Sequence, residues 1–131
     1  MTKNSDVLLL EDDPIIRTLL EYVFADDGHS VQVCESREEL LEVAASTPTA
    51  LAVSDFWGDS HESLADDERA QIVQLARTVP TILVTARTWA NSVTAEDVGL
   101  AALVRKPFDV DELCAVVSGA LEGDERATVA Q

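Results

Sequence analysis

The chain has 131 residues, 47% of them hydrophobic, and its 25 acidic against 9 basic side chains give a formal net charge of −16. That length suits one domain whose single core buries roughly two-thirds of the surface of the unfolded chain. The acidic excess disfavours nucleic acid and anionic membranes, because no basic stripe exists to displace counterions, and no apolar run approaches the roughly 18 residues of a membrane helix.

The opening Met1-Thr2-Lys3-Asn4-Ser5-Asp6 does not resemble a signal peptide, so the expectation is a soluble, cytoplasmic protein. Val7 to Leu10 is a continuous apolar run, as a strand buried on both faces requires. Asp13-Pro14 then supplies a helix cap and an N1 proline, after which Ile16, Leu19, Leu20, Val23 and Phe24 recur at helical spacing up to Asp27-Gly28. Ser30 to Cys34 alternates weakly and reads as an edge strand. Ser36-Arg37-Glu38-Glu39 has the form of a capping box opening a second helix, which Thr47-Pro48 stops.

Ala50 to Ser54 predicts the third strand, followed directly by Asp55 and then by a polar, glycine-interrupted loop, Phe56 to Glu62. A third helix over Leu64 to Arg77 leads into a fourth strand, Thr81 to Val84, closed by Thr85. Thr94-Ala95-Glu96-Asp97 starts a short fourth helix ending near Gly99, and Ala102 to Arg105 predicts the fifth strand. Asp109-Val110-Asp111-Glu112 caps the last helix, with Leu113, Val116, Val117, Ala120 and Leu121 on one face and Gly123 at its end. Residues 1–122 are thus expected to form one domain and 123–131 a disordered tail. Short apolar runs alternating with helix-period segments define an α/β chain with a parallel sheet.

Chemistry-bearing residues gather at the ends of these strands: Glu11-Asp12-Asp13 after the first, Asp55 after the third, Thr85 at the fourth and Lys106-Pro107 after the fifth. An open α/β sheet places its ligand site at that edge. Carboxylates, a hydroxyl and an ammonium together predict a magnesium-assisted phosphoryl acceptor. Asp13, before Pro14, reads as a helix cap and is left out of the metal set. Cys34 and Cys114 have no metal-ligand spacing and read as reduced thiols, while His29 and His61 have no partner spacing, although His61 follows Asp55 closely enough to line the site.

Glu11 and Asp12, Asp55, Thr85 followed by the small Ala86, and Lys106-Pro107-Phe108 together resemble the receiver domain of two-component response regulators across residues 6 to 122. The resemblance implies a (βα)5 doubly wound, flavodoxin-like three-layer fold with strand order 2-1-3-4-5, the order that the chemotaxis member of this family exemplifies. It implies Asp55 as phospho-acceptor, and Mg²⁺ held by Asp12, Asp55 and the Trp57 carbonyl, with Glu11 acting through water. It further implies Lys106, the Thr85 hydroxyl and the Ala86 backbone amide as contacts of the phosphoryl group, and a cis Lys106-Pro107 bond. The implied partners are a histidine kinase or histidine phosphotransfer protein, a downstream protein target of unknown identity and, on phosphorylation, a homodimer. Such a protein is not a conventional enzyme, although it carries self-phosphorylation and self-dephosphorylation chemistry.

Two departures from the family pattern bear on the output. The position three before the lysine, usually aromatic in receivers, is Leu103, and the loop after Asp55 lacks the usual proline and glycine pattern. Trp89, four residues after Thr85, is the nearest sequence candidate for a substitute ring. An alternative reading is a degenerate receiver serving as a phosphorylation-independent interaction module. A dehalogenase-type phosphohydrolase needs a second acid where Trp57 stands, and a dinucleotide site needs a glycine-rich turn where Glu11-Asp12-Asp13-Pro14 stands.

Overall fold

Strand residues alternate between the two faces of a sheet, so an all-apolar strand requires cover on both sides. In the computed structural model, which describes residues 6–55, 64–91 and 93–130, with side chains as far as Leu121 except that of Thr88, three predominantly apolar strands form the centre. They are β1 (Val7–Leu10), β3 (Leu51–Ser54) and β4 (Thr81–Thr85), every residue of which is buried. With β2 (Val31–Val33) and β5 (Ala102–Arg105) at the edges they make one parallel sheet in the order β2-β1-β3-β4-β5. The expected strand order and the edge position of the weak second strand are both found.

The helices are α1 (Pro14–Asp26), α2 (Arg37–Ser46), α3 (Asp66–Thr78), α4 (Ala95–Val98) and α5 (Val110–Ala130). One sheet face, through Val7, Leu9, Leu51, Val53, Ile82 and Val84, packs on Leu20 and Phe24 of α1 and Leu113 and Val117 of α5. The other, through Leu8, Leu10, Ala52 and Leu83, packs on Leu40 of α2, Ile72 and Leu75 of α3 and Val98 of α4. Each fully buried aliphatic side chain stabilises this three-layer arrangement by roughly 1.5–3 kcal/mol.

Local chemistry sets the helix starts. Asp13 Oδ1 accepts the Ile15 and Ile16 amides at 2.8 and 3.3 Å, and Pro14 follows at N1, so Asp13 is the cap that the sequence predicts. Ser36 Oγ accepts the Glu39 amide at 3.1 Å, but Glu39 reaches back to Glu35 N–H at 2.6 Å rather than to Ser36, which shifts the reciprocal half of the expected box by one residue. Gly99 closes α4 at φ 77°, a left-handed conformation that disfavours side chains. The third helix begins at Asp66, two residues after the predicted start.

The end of the last helix differs from expectation. α5 continues through Gly123 to Ala130. A single interior glycine costs only about 1 kcal/mol relative to alanine, and Asp124-Glu125-Arg126-Ala127 contains no proline to halt the helix. Among the described residues, no helix is long and apolar enough to cross a membrane. Cys34 lies buried just after β2, and burial pushes its thiol up to about 11, while Cys114 sits on α5; both are unpaired.

Candidate functional site

A parallel sheet presents the carboxyl ends of all its strands at one edge, so residues distant in sequence converge there. Leu10 pairs with Ser54 in the β1–β3 register, and the Asp55 amide donates to Leu10 O at 2.9 Å, which brings Glu11 and Asp55 side by side. On the other side the Lys106 amide donates to Thr85 O at 2.9 Å, fixing the end of β5 against β4. The Lys106-Pro107 peptide is cis, as the resemblance implies.

Lys106 closes the group. Its Nζ lies 2.9 Å from Asp55 Oδ2 and 3.1 Å from Glu11 Oε2. The Asp12 amide donates to Asp55 Oδ1 at 3.2 Å, and the Asp13 amide donates to Glu11 Oε2 at 3.0 Å. Two carboxylates therefore share one ammonium, with Glu11 only 3% exposed. Burial, reinforced by the hydrogen bond and charge of Glu11, pushes the Asp55 carboxyl up to about 7 against the opposing pull of Lys106. Burial works against the Lys106 ammonium, but the hydrogen bonds and charges of Asp55 and Glu11 outweigh it and hold its pKa above the ordinary lysine value.

Thr85 is buried at the end of β4, where its hydroxyl oxygen accepts the Arg87 amide at 3.0 Å, and the adjoining Ala86 is exposed. Glu11, Asp55 and Lys106 thus meet directly, Asp12 joins through its backbone, and Thr85 reaches Lys106 through the main chain. Trp57, whose carbonyl the sequence assigns to a metal, lies outside the described residues, as does His61. Two features escape sequence reasoning. Glu11 pairs with Lys106, and Arg105 bonds the turn after β4; no local spacing marks either.

Among the described residues, no three acidic, imidazole or thiol side chains are gathered closely enough to hold an ion. The donor set nevertheless suits Mg²⁺. Glu11 Oε1 is buried with no hydrogen-bond partner among the described residues, Asp55 stands beside it, and the adjacent Asp12 is exposed. These are hard oxygens, of the kind that magnesium binds while keeping part of its water shell.

A family model for the response regulator receiver domain matches residues 7–118. Among solved structures, the chain is similar to a transiently phosphorylated "switch" in bacterial signal transduction, with 30% identity, a TM-score of 0.72 and coverage of 93% of this chain and 98% of that one. It is similar to the beryllofluoride-activated NtrC receiver domain at 28% identity, TM-score 0.65, covering 93% and 98% of the two chains. A CheY-like receiver domain protein from Methanospirillum hungatei shares the fold at 21% identity, TM-score 0.74, covering 92% and 96%. No curated protein sequence matches. The fold and the strand-end site define a receiver-type α/β domain. The chain belongs to the response regulator receiver domain family, whose members act in two-component signalling rather than as conventional enzymes.

Proposed function

We propose that the chain accepts a phosphoryl group on Asp55 from a phosphohistidine donor and passes the signal on through protein contacts. The observation that carries this reading is Lys106 Nζ at 2.9 Å from Asp55 Oδ2 in a crevice that also holds Glu11. An Asp55 oxygen attacks phosphorus in line, the P–N bond breaks, and its electron pair leaves on the donor imidazole; the product is an acyl phosphate. Little covalent assistance is needed in such a transfer, so the site acts mainly by positioning and charge neutralisation.

Asp12, Asp55 and the Trp57 carbonyl, with Glu11 acting through water, would hold Mg²⁺, which would supply positive charge against the phosphoryl oxygens. Lys106 exchanges its Asp55 contact for one of those oxygens, and the Thr85 hydroxyl and Ala86 amide take others. The test is ¹⁹F spectroscopy with beryllofluoride, a phosphoryl mimic. A bound signal that requires both Mg²⁺ and Asp55 is expected; its absence with the wild-type chain overturns the reading in favour of a phosphorylation-independent module.

A protein donor has to cover the surface around Asp55, and the α1 side of that surface carries exposed apolar residues. Ile15, Leu19 and Tyr22 are exposed along α1 at spacings of four and three residues, hence on one side of the helix. Beside them a groove of about 450 Å³ is lined by Ile16, Leu19, Ala86, Lys106, Pro107 and Phe108, so it reaches the proposed phosphoryl contacts. Ile15→Asp is expected to slow transfer from a phosphohistidine domain at least tenfold, because it buries a charge in the complex. Labelling by acetyl phosphate should be unchanged. Equal slowing with both donors would show that α1 supports the chemistry rather than the docking.

A further inference from the structure

The turn after β4 is fastened from β5. Arg105 donates through NH1 to Asn91 Oδ1 and through NH2 to Ala90 O at 3.4 Å. Within the turn, Thr88–Asn91 forms one short 3-10 segment, and the Ala90 amide donates to Arg87 O at 3.3 Å. The Arg87 amide in turn donates to Thr85 Oγ1 at 3.0 Å. A continuous series of bonds therefore runs from the Arg105 guanidinium, on the residue next to Lys106, to the hydroxyl at the end of β4.

Trp89 sits inside this turn. It is 4% exposed and belongs to the core cluster that includes Val98 and Leu100, with half-buried Leu103 packed against it. Among the described residues its buried indole Nε1 has no hydrogen-bond partner. An unmet buried donor is costly, so the closed turn carries a local penalty that hydration of this one atom would relieve. Burial of the ring itself is worth more than one charge-assisted hydrogen bond. Exposing the whole indole would therefore cost more than re-seating the turn around it.

We propose that Arg105 is a positioning residue that clamps the turn Thr88–Asn91 and, through Arg87, holds the Thr85 hydroxyl in its resting bond, so that occupation of Asp55 and closure of this clamp oppose each other. The inference rests on Asp55 being the phosphoryl acceptor. Rotation of the Thr85 side chain toward a group on Asp55 draws Oγ1 away from the Arg87 amide. When it turns, the Arg87–Ala90 contact loosens, the two Arg105 bonds weaken, and the Trp89 N–H becomes reachable by water. A pre-equilibrium of this kind is biased by whatever stabilises the closed form. Removing the clamp raises affinity for a phosphoryl mimic.

The test uses the whole ¹⁵N-labelled chain with Mg²⁺ and beryllofluoride. The bound ¹⁹F signal reports occupancy, and exchange of the Trp89 indole N–H with water, its resonance assigned with Trp89→Phe, reports the turn. Bound fluoride with faster indole exchange is expected, together with roughly threefold to tenfold tighter beryllofluoride binding by Arg105→Ala, the range corresponding to loss of one net hydrogen bond. Arg105→Ala should also speed indole exchange without any ligand. Asn91→Ala, which removes one of the two Arg105 contacts, should show the same changes to a smaller extent and serves if Arg105→Ala fails to fold. Bound fluoride with unchanged indole exchange overturns the clamp while leaving Asp55 as acceptor. Affinity equal to wild type in a folded clamp variant overturns it as well. No bound fluoride in the wild type removes the Asp55 reading and the clamp with it.

Discussion

Asp55→Asn is expected to abolish incorporation of a phosphoryl group from acetyl phosphate in the presence of Mg²⁺, whereas the wild-type chain gains one group. The substitution keeps the shape of the side chain and an oxygen able to accept the Asp12 amide, so what it removes is the anionic nucleophile. In the wild type an Asp55 oxygen bonds to phosphorus, the P–O bond to the acyl group breaks, and acetate leaves with the electron pair. An amide cannot form a comparable acyl phosphate, so initial labelling should fall by at least a hundredfold. Glu11 is the natural competitor, since its Oε2 contacts the same Lys106 ammonium at 3.1 Å. Its side chain is nearly closed off from solvent, however, at 1% exposure against 9% for Asp55. Intact mass followed by peptide mapping distinguishes the two. Equal labelling of Asp55→Asn, or a phosphoryl group mapped to Glu11 in the wild type, would refute Asp55 as acceptor.

What the sequence made legible follows from where local physics decides. β1 is a continuous apolar run and β3 and β4 are predominantly apolar ones, which suits all three to central parallel strands, and the residues that follow them share one edge of the sheet. The caps at Asp13, Ser36 and Thr94 are short-range features and were readable for the same reason. Weaker local preferences gave poorer boundaries. Gly123 resembles a helix stop, yet nothing after it disfavours helix, and α5 continues to Ala130. The pairing of Glu11 with Lys106 spans 95 positions, and the bonds of Arg105 to Ala90 and Asn91 span 15 and 14. Such contacts depend on sheet register and side-chain reach, neither of which leaves a trace in spacing. Leu103 illustrates the same limit: its departure from the aromatic pattern was visible, but only the structure shows Trp89 packed in the neighbouring cluster.

Without Mg²⁺, wild-type stability should fall as pH rises from about 4 to above 7, and Asp55→Asn should remove most of that fall. Asp55 titrates near 7 in the fold and near the ordinary aspartate value of 3.8 when unfolded. A carboxyl with a raised folded pKa favours the fold while protonated, so its contribution is complete below about 4 and is lost as pH climbs through 7. Lys106 shifts upward and remains charged across this window, so it adds no slope there. Because the crevice opens to solvent and Lys106 offsets part of the repulsion, the loss is set well below full conversion of the shift, at about 2 kcal/mol. For a chain of this size that is roughly 5–8 °C in melting temperature. In chelator, Asp55→Asn and wild type should therefore melt close together near pH 4, and the variant should melt higher at pH 8. Magnesium should narrow the gap at pH 8 by stabilising only the chain that retains the Asp55 carboxylate, since a ligand that binds the folded state raises its stability. Thermal melts of both proteins across this pH range, with chelator and with Mg²⁺, measure all of these effects. A gap that does not change with pH would show that burial and Glu11 do not raise the Asp55 carboxyl in the fold, and a gap at pH 8 that Mg²⁺ leaves intact would remove the metal from Asp55.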